Sequence, residues 1–240
     1  MRVAIVSDIH GNLHALEAVL EAIDRDAPDA IWCLGDLVGY GPRPNRCCAV
    51  VAERADVCLI GNHDLAVLGR LDLDDFQPDA ALSARWTTAA LEDEARVYLE
   101  SLVSSGEREG VGLFHASPRD PIWEYVLSPD VAAASMAATG QELVLVGHSH
   151  VALHYRVSDG TFLPADDGTE LGLSGNRWLL NPGSVGQPRD TDPRAAWLLL
   201  DLEARRASYH RVEYDLAQTQ QEIRDRGLPE ALAARLEFGV

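Results

Sequence analysis

The sequence predicts an α/β fold built on a largely parallel sheet, and three observations carry that reading. Over the first 150 residues, short apolar runs alternate with amphipathic stretches, the βαβα rhythm of parallel strands joined by helical crossovers. In the last third, the strand candidates are joined by turns rich in Gly, Asp and Pro, which points to hairpins. Composition agrees: of 240 residues, 47% are apolar and 24% charged, the mixture of an ordinary globular chain.

Taken in order, Val3–Val6 is a short apolar run suited to a buried strand. A helix follows from about Leu13 to Arg25, with Leu13, Leu16, Leu20 and Ile23 on one face. Ala30–Leu34 and Val57–Ile60 read as further strands, with a helix around Arg46–Glu53 between them. After the apolar run Leu65–Leu68 come helical stretches near Ala80–Ala90 and Glu92–Val103, and the acidic Asp72–Asp75 reads as a solvated loop. Val111–Phe114 and Leu143–Val146 are strand-like and flank an Ala-rich helix near Asp130–Ala138. Ala152–Val157, Arg177–Leu180, Ala196–Leu202 and Ala207–Val212 are the later strands, and helices near Leu216–Arg226 and Pro229–Leu236 close the chain. With no repeat and no linker in sight, residues 1–240 are expected to form a single domain. A chain of this length buries about three quarters of its unfolded surface and needs no staple.

Charge excludes several functions. The net charge is −18, and all 20 cations are Arg, since the sequence holds no Lys. A Schiff-base lysine, a P-loop lysine and a lysine nucleophile are therefore excluded. So acidic a surface repels polyanions, so no stable nucleic-acid binding and no attraction to anionic membranes are expected. The run Met1–Val6 is too short for a signal peptide, and no stretch of about 18 apolar residues suggests a membrane helix. Cys33, Cys47, Cys48 and Cys58 show no C-x-x-C spacing and are expected to be reduced, which fits the cytoplasm.

Residues with metal-ligating side chains gather at the ends of the strand candidates, where open α/β sheets collect their ligand sites. Strand one ends in Asp8-Ile9-His10, strand two in Gly35-Asp36 and strand three in Gly61-Asn62-His63-Asp64. His115 ends the next, and Gly147-His148-Ser149-His150 the one after, so five of the eight histidines lie in these positions. Each piece alone is weak, and a lone His is usually structural. The ordered set is not a coincidence.

This set, with Ser7–Asn12, Gly35–Pro44 and Asn181–Pro188, resembles the calcineurin-like metallophosphoesterase superfamily, and within it the compact bacterial phosphodiesterases and tetraphosphatase-like enzymes. The resemblance spans residues 1 to about 200. It implies a four-layer α/β/β/α sandwich with two mixed central sheets and two metal ions at their carboxyl edge. It also implies that Asp8, His10, Asp36 and His150 hold one metal and that Asp36, Asn62, His115 and His148 hold the other, with Asp36 bridging. Ligands of this kind suit two divalent transition-metal ions, Mn first and Fe or Zn next, better than Ca or Mg. A water bridging two such ions would ionise near neutral pH and attack phosphorus. The implied activity is hydrolysis of a small phosphate ester, as a phosphodiesterase or a phosphatase, with nucleotides and dinucleoside polyphosphates among the substrates. A protein-interaction scaffold that keeps the fold and has lost catalysis is the alternative.

By the same resemblance His63 faces the leaving group as a proton or hydrogen-bond donor. Asp64 either accepts from that imidazole and holds it protonated or simply forms the turn. Without Lys, phosphate must be met by Arg or backbone amides. Arg43 and Arg119 follow motif loops and are the candidates, with Arg189 a weaker one; for each, a surface ion pair with one of the 38 acidic residues is the preferred alternative. Asn12 either contacts phosphate or caps the helix at Leu13, the cap being preferred. Tyr40, Trp123 and Tyr125 either stack a nucleobase or pack under their loops. His14 is expected at the surface or behind the metal ligands, and His154 and His210 lie outside every motif.

Overall fold

The computed structural model describes residues 1–240, and its first strand shows how the layers arise. In β1 (Arg2–Val6), Val3 and Ile5 enter one apolar core while Ala4 and Val6 enter another. β2 (Ala30–Cys33) divides in the same way, Ala30 and Trp32 against Ile31 and Cys33. A strand buried on both faces needs apolar residues at successive positions, which is why these segments read as continuous runs.

The other strands are β3 (Val57–Cys58), β4 (Ser105–Arg108), β5 (Val111–Phe114), β6 (Leu143–Leu145) and β7 (Ala152–Arg156). They continue with β8 (Thr161–Pro164), β9 (Glu170–Gly172), β10 (Trp178–Pro182), β11 (Ala195–Asp201) and β12 (Arg206–Val212). One sheet runs β3-β2-β1-β11-β12-β9 and the second β4-β5-β6-β10-β7-β8. Both are mixed. β3, β2 and β1 are parallel, as are β5, β6 and β10, whereas the remaining neighbours pair antiparallel. The expectation of a largely parallel sheet is corrected here: each sheet keeps three parallel strands, and the strands of the last third other than β10 add only antiparallel pairs.

Between the sheets lies a core of Val3, Ile5, Trp32, Leu113, Leu145, Trp178, Leu180, Leu198 and Tyr209. Each large side chain fully buried there contributes about 1.5–3 kcal/mol. The Tyr209 hydroxyl crosses between sheets and donates to the Leu153 carbonyl at 2.7 Å. Outside the first sheet pack α1 (Leu13–Asp26), α2 (Pro44–Arg54), α3 (Asn62–Val67), α4 (Pro78–Ala90) and α5 (Asp93–Glu100). α6 (Pro129–Ala137) covers the second sheet through Ala132 and Met136 against Val144, Leu153 and Leu179. The result is an α/β/β/α sandwich. α7 (Leu216–Asp225) and α8 (Glu230–Ala234) then fold back, and Ile223, Leu232 and Leu236 close over Tyr40 and Ala80.

Three strands went unforeseen: β4, β8 and β9 are short and lie at or beside sheet edges. Ser-Gly-Glu-Arg carries no alternation, and only its pairing with β5 makes it a strand. At Asn62–Val67 the chain turns helical directly from the strand-end motif, so His63 and Asp64 lie in the first turn of α3. Asp72–Asp75 is an exposed short 3-10 turn whose Asp72 side chain accepts from Asp74 N–H at 3.0 Å. All four cysteines are unpaired.

Candidate metal centre

Every ligand-type residue of the motifs stands just past a strand end. β1 leads to Asp8 and His10, β2 to Asp36, β3 to Asn62, β5 to His115, and β6 to His148 and His150. All of these strands belong to the parallel parts of the two sheets, so their carboxyl ends meet along one edge. The backbone bends sharply there: Asp8, His10, Asp36, His148 and His150 have φ of 55°, 49°, 54°, 61° and 60°. Left-handed conformations at non-glycine residues cost of order 1 kcal/mol or more each and persist only where the surroundings impose them. Gly61 is required by close approach, since a Cβ there would run into the Asp36 carboxylate.

Backbone groups orient the side chains. His10 Nδ1 lies 3.0 Å from the Val38 carbonyl, His115 Nδ1 2.9 Å from that of Leu34 and His150 Nδ1 2.6 Å from that of Gln187. A carbonyl can only accept, so each Nδ1 carries the proton and each Nε2 is a bare acceptor. His148 uses the opposite nitrogen, Nε2 facing the Trp123 carbonyl at 3.3 Å, which leaves its Nδ1 bare. The carboxylates follow one plan. Asp8 Oδ2 accepts from His148 N–H at 3.1 Å and Asp36 Oδ1 from His63 N–H at 2.9 Å. Asp8 Oδ1 and Asp36 Oδ2 are buried without a hydrogen-bond partner.

Acceptors therefore face acceptors. His10 Nε2 and His150 Nε2 stand 3.0 Å apart, and His115 Nε2 stands 3.2 Å from Asn62 Oδ1. Asp36 Oδ2 lies between the two pairs, 3.6 Å from His10 Nε2 and 3.5 Å from His115 Nε2. Lone pairs at these separations repel unless a cation sits among them, and the donor set of imidazole nitrogen and carboxylate oxygen fits a divalent metal. The candidate ligand atoms of Asp8, His10, Asp36 and His150 lie within 4.8 Å of one another, and so do those of Asp36, His115 and His148.

Electrostatics agrees. Burial pushes the Asp8 carboxyl up to about 7, and burial followed by repulsion from Asp64 pushes Asp36 well above the carboxylate range. Burial also holds His10, His148 and His150 well below the ordinary imidazole value. Neutral imidazoles and carboxylates that resist charging when buried are the donors that a bound cation would stabilise.

Residues 1–205 match the family model of the calcineurin-like phosphoesterase superfamily domain. The chain belongs to that superfamily. It is similar, at 46% identity and a TM-score of 0.92, to the crystal structure of a metallophosphoesterase from Sphaerobacter thermophilus, covering 100% of this chain and 99% of that one. An uncharacterized protein of Methanocaldococcus jannaschii is 36% identical over 99% of this chain and 98% of its own length. Phosphodiesterase YfcE of Escherichia coli strain K12 is 32% identical over 84% of this chain and 88% of its own. As a member of the superfamily, the chain is a phosphoric-ester hydrolase that uses divalent metal ions. No helix is long and apolar enough to cross a membrane.

Within this phosphoesterase, some expected contacts are absent. Asp64 does not reach the His63 imidazole: its Oδ1 accepts from Leu37 and Val38 N–H at 2.9 and 3.0 Å, and its Oδ2 from Gly61 N–H at 3.0 Å. It is a clamp between two motif loops, and the idea that it holds His63 protonated is corrected accordingly. Burial raises its carboxyl to about 6 against those three hydrogen bonds. His63 is buried with Nδ1 unpartnered, its ring centroid 4.9 Å from that of His10 and 4.4 Å from that of Tyr40. Burial, then Arg189, holds the imidazole well below its ordinary value.

Asn12 is the helix cap. Its Oδ1 accepts from Ala15 N–H at 3.2 Å and its Nδ2 donates to the Gly186 carbonyl at 2.9 Å. Arg43 is turned into a bidentate pair with Glu222 at 2.7 and 2.6 Å, and Arg119 lies at the surface with one contact to Glu124 at 3.2 Å. The Glu222 partner was not legible in the sequence, because it is 179 residues from Arg43. Tyr40 is buried against His10 and His63, and Trp123 lies against Phe76 with centroids 5.0 Å apart. Tyr125 is 47% exposed and stacks on His148 at 4.1 Å. The guanidinium ranked lowest from sequence, Arg189, is the one at the site: it donates to the Tyr40 hydroxyl at 3.2 Å and to Gln187 Oε1 at 2.9 Å.

Proposed function

We propose that this phosphoesterase is a dinuclear enzyme acting on small phosphodiesters. Asp8, His10, Asp36 and His150 would hold one divalent ion and Asp36, Asn62, His115 and His148 the other, with Asp36 shared. The observation that carries this reading is the pair of acceptor-to-acceptor approaches, 3.0 Å for His10 and His150 and 3.2 Å for His115 and Asn62, linked by the unpartnered Asp36 Oδ2. Two such groupings around one carboxylate call for two cations. Manganese is the metal we favour, because mixed nitrogen and oxygen donors including a neutral amide suit it. Bound ions of this kind supply Lewis acidity toward phosphoryl oxygens and activate water near neutral pH.

The chain's own residues do the rest. The Val38, Leu34, Gln187 and Trp123 carbonyls fix four imidazoles in the tautomer that leaves the inner nitrogen free. His63 stands beside this cluster and contributes a hydrogen bond or a proton to the departing oxygen. Asp64 positions His63 indirectly, by tying the Gly61 turn to the Leu37–Val38 backbone. The choice of diester over monoester draws on the likeness to a protein named as a phosphodiesterase across 84% of the chain. We read residues 1–240 as one domain, since α7 and α8 share an apolar cluster with Tyr40 and Ala80, and the four free thiols support a cytoplasmic location.

The test is a substrate panel with manganese-loaded protein: an aryl monoester, an aryl diester, cyclic nucleotides and dinucleoside polyphosphates. Diester turnover should be fastest, should vanish on chelation and should return with two equivalents of manganese. Protein that binds a single metal, or that hydrolyses no ester on the panel, would overturn the proposal.

A further inference from the structure

Arg189 is an unpaired cation in a chain rich in acids. Arg43, Arg119 and Arg211 each hold a carboxylate, Glu222, Glu124 and Asp190 respectively, whereas Arg189 has none within 4.0 Å. It is nevertheless well ordered by neutral groups. Nη2 donates to Tyr40 Oη at 3.2 Å and to Gln187 Oε1 at 2.9 Å, and the guanidinium carbon lies 5.7 Å from the centre of the Tyr40 ring. Its Nε is buried and has no hydrogen-bond partner. Nη1 makes no hydrogen bond within the chain and, unlike Nε, is not buried, so it is the donor left for a partner from outside.

The position of this donor identifies the partner. The Tyr40 ring beneath Arg189 lies 4.8 Å from the His10 ring and 4.4 Å from the His63 ring, and the Arg189 backbone N–H donates to the His150 carbonyl at 3.1 Å. The guanidinium therefore flanks the metal-ligand edge on the side of His63. Arg235, from the C-terminal 3-10 turn, lies within Coulombic reach of Arg189, and the two guanidiniums repel. A bound anion relieves that repulsion and supplies the acceptor that Nη1 lacks. In a chain of net charge −18 without lysine, a local cation is also what an anionic substrate needs in order to approach.

We propose that Arg189 binds a non-bridging oxygen of the substrate phosphate, with Tyr40 and Gln187 as the positioning residues that hold its guanidinium in place. This rests on the phosphoesterase reading above and names the residue that gives its site affinity for the anion. Arg43 is committed to its bidentate pair with Glu222, and Arg119 already has a carboxylate in Glu124.

The test uses manganese-loaded protein and inorganic phosphate, with binding measured by calorimetry, metal content by elemental analysis, and kcat and KM for an aryl phosphodiester. Arg189→Gln should keep the wild-type metal content while weakening phosphate binding about 10–100-fold, the worth of a charge-assisted hydrogen bond. KM should rise more than kcat falls. Arg189→Lys, which keeps the charge and loses the fork, should fall between the two and guards against a folding defect in the first variant. Tyr40→Phe should weaken phosphate about 3-fold, since it removes only one orienting hydrogen bond. Unchanged phosphate affinity in metal-replete Arg189→Gln would overturn the inference, and so would loss of metal from that variant. Wild-type protein that takes up metal but neither binds phosphate nor hydrolyses the diester would overturn the underlying reading, an outcome visible before any variant is made.

Discussion

Glu222 and Asp36 are both buried carboxylates, yet their acidities move in opposite directions. Glu222 on α7 accepts two hydrogen bonds from Arg43, with Gln218 and His14 at 3.3 Å, and the Arg43 hydrogen bonds pull its carboxyl down to about 2. Asp36 has one oxygen tied to a backbone N–H and the other bare, and its carboxyl is held well above the ordinary range. The Glu222 region is complete as folded, because the chain supplies the cation. The Asp36 region is incomplete as folded, because the side chains nearest the bare Asp36 oxygen, His10 and His115, present only more acceptors to it. Buried charge by itself therefore says little about function. A missing counter-charge says a good deal.

The largest effect that would break this contrast is expected at Asp36. Asp36→Asn should lower metal content and abolish turnover, because two dications at short range would lose the anion that screens them. Elemental analysis with an activity assay decides it: two fully occupied sites with normal turnover would remove Asp36 from the centre of the site.

His63→Ala should be the next largest, with turnover falling about 10²–10⁴-fold while metal content holds. The loss should be greater for an alkoxide leaving group than for a nitrophenolate, which departs with little protonation. Comparing kcat/KM for the two leaving groups separates proton donation from a purely electrostatic role, for which equal losses are expected.

Effects on the self-compensated side should be smaller and should appear as stability. Glu222→Gln should cost about 1–2 kcal/mol in urea unfolding, less than a fully buried pair because Arg43 is 39% exposed, and should leave metal content alone. Since the Glu222 carboxyl is depressed from 4.5 to about 2, its contribution is complete above about pH 5 and fades as pH falls toward 2. The gap between wild type and Glu222→Gln should close over that interval. A gap as wide at pH 3 as at pH 7 would show that the pair contributes nothing electrostatic. Smallest of all, replacing Cys33, Cys47, Cys48 and Cys58 by Ala should leave metal content unchanged and cost about 1 kcal/mol or less at each site. Metal lost from a folded variant would move the ligand set toward sulfur.

How much of this was legible in the chain varies with the range of the interaction. Val3–Val6 and Ala30–Cys33 were readable because a strand buried on both faces must be apolar at every position. The Asp8-Ile9-His10 and Gly147-His148-Ser149-His150 motifs were readable because a strand-end turn puts its ligands within a few residues of one another. The short strand Ser105–Arg108 was not, since only a neighbouring strand makes it one. Nor was the fate of Arg43, whose partner arrives with the C-terminal helices 179 residues later.

From the sequence alone came the chemistry available: imidazoles, carboxylates and one amide at successive strand ends, no lysine, and a net charge of −18. Tertiary structure decided which of these groups lack a partner. Two parallel sheet segments bring their carboxyl edges together, and backbone carbonyls turn the outer imidazole nitrogens into donors, leaving the inner ones bare and 3.0 Å apart at His10 and His150. The same folding gave Arg43 and Arg119 to glutamates and left Arg189 without one. The reason is physical: a residue's type is local information, but whether its charge or lone pair is compensated depends on every chain segment that packs within a few ångströms of it.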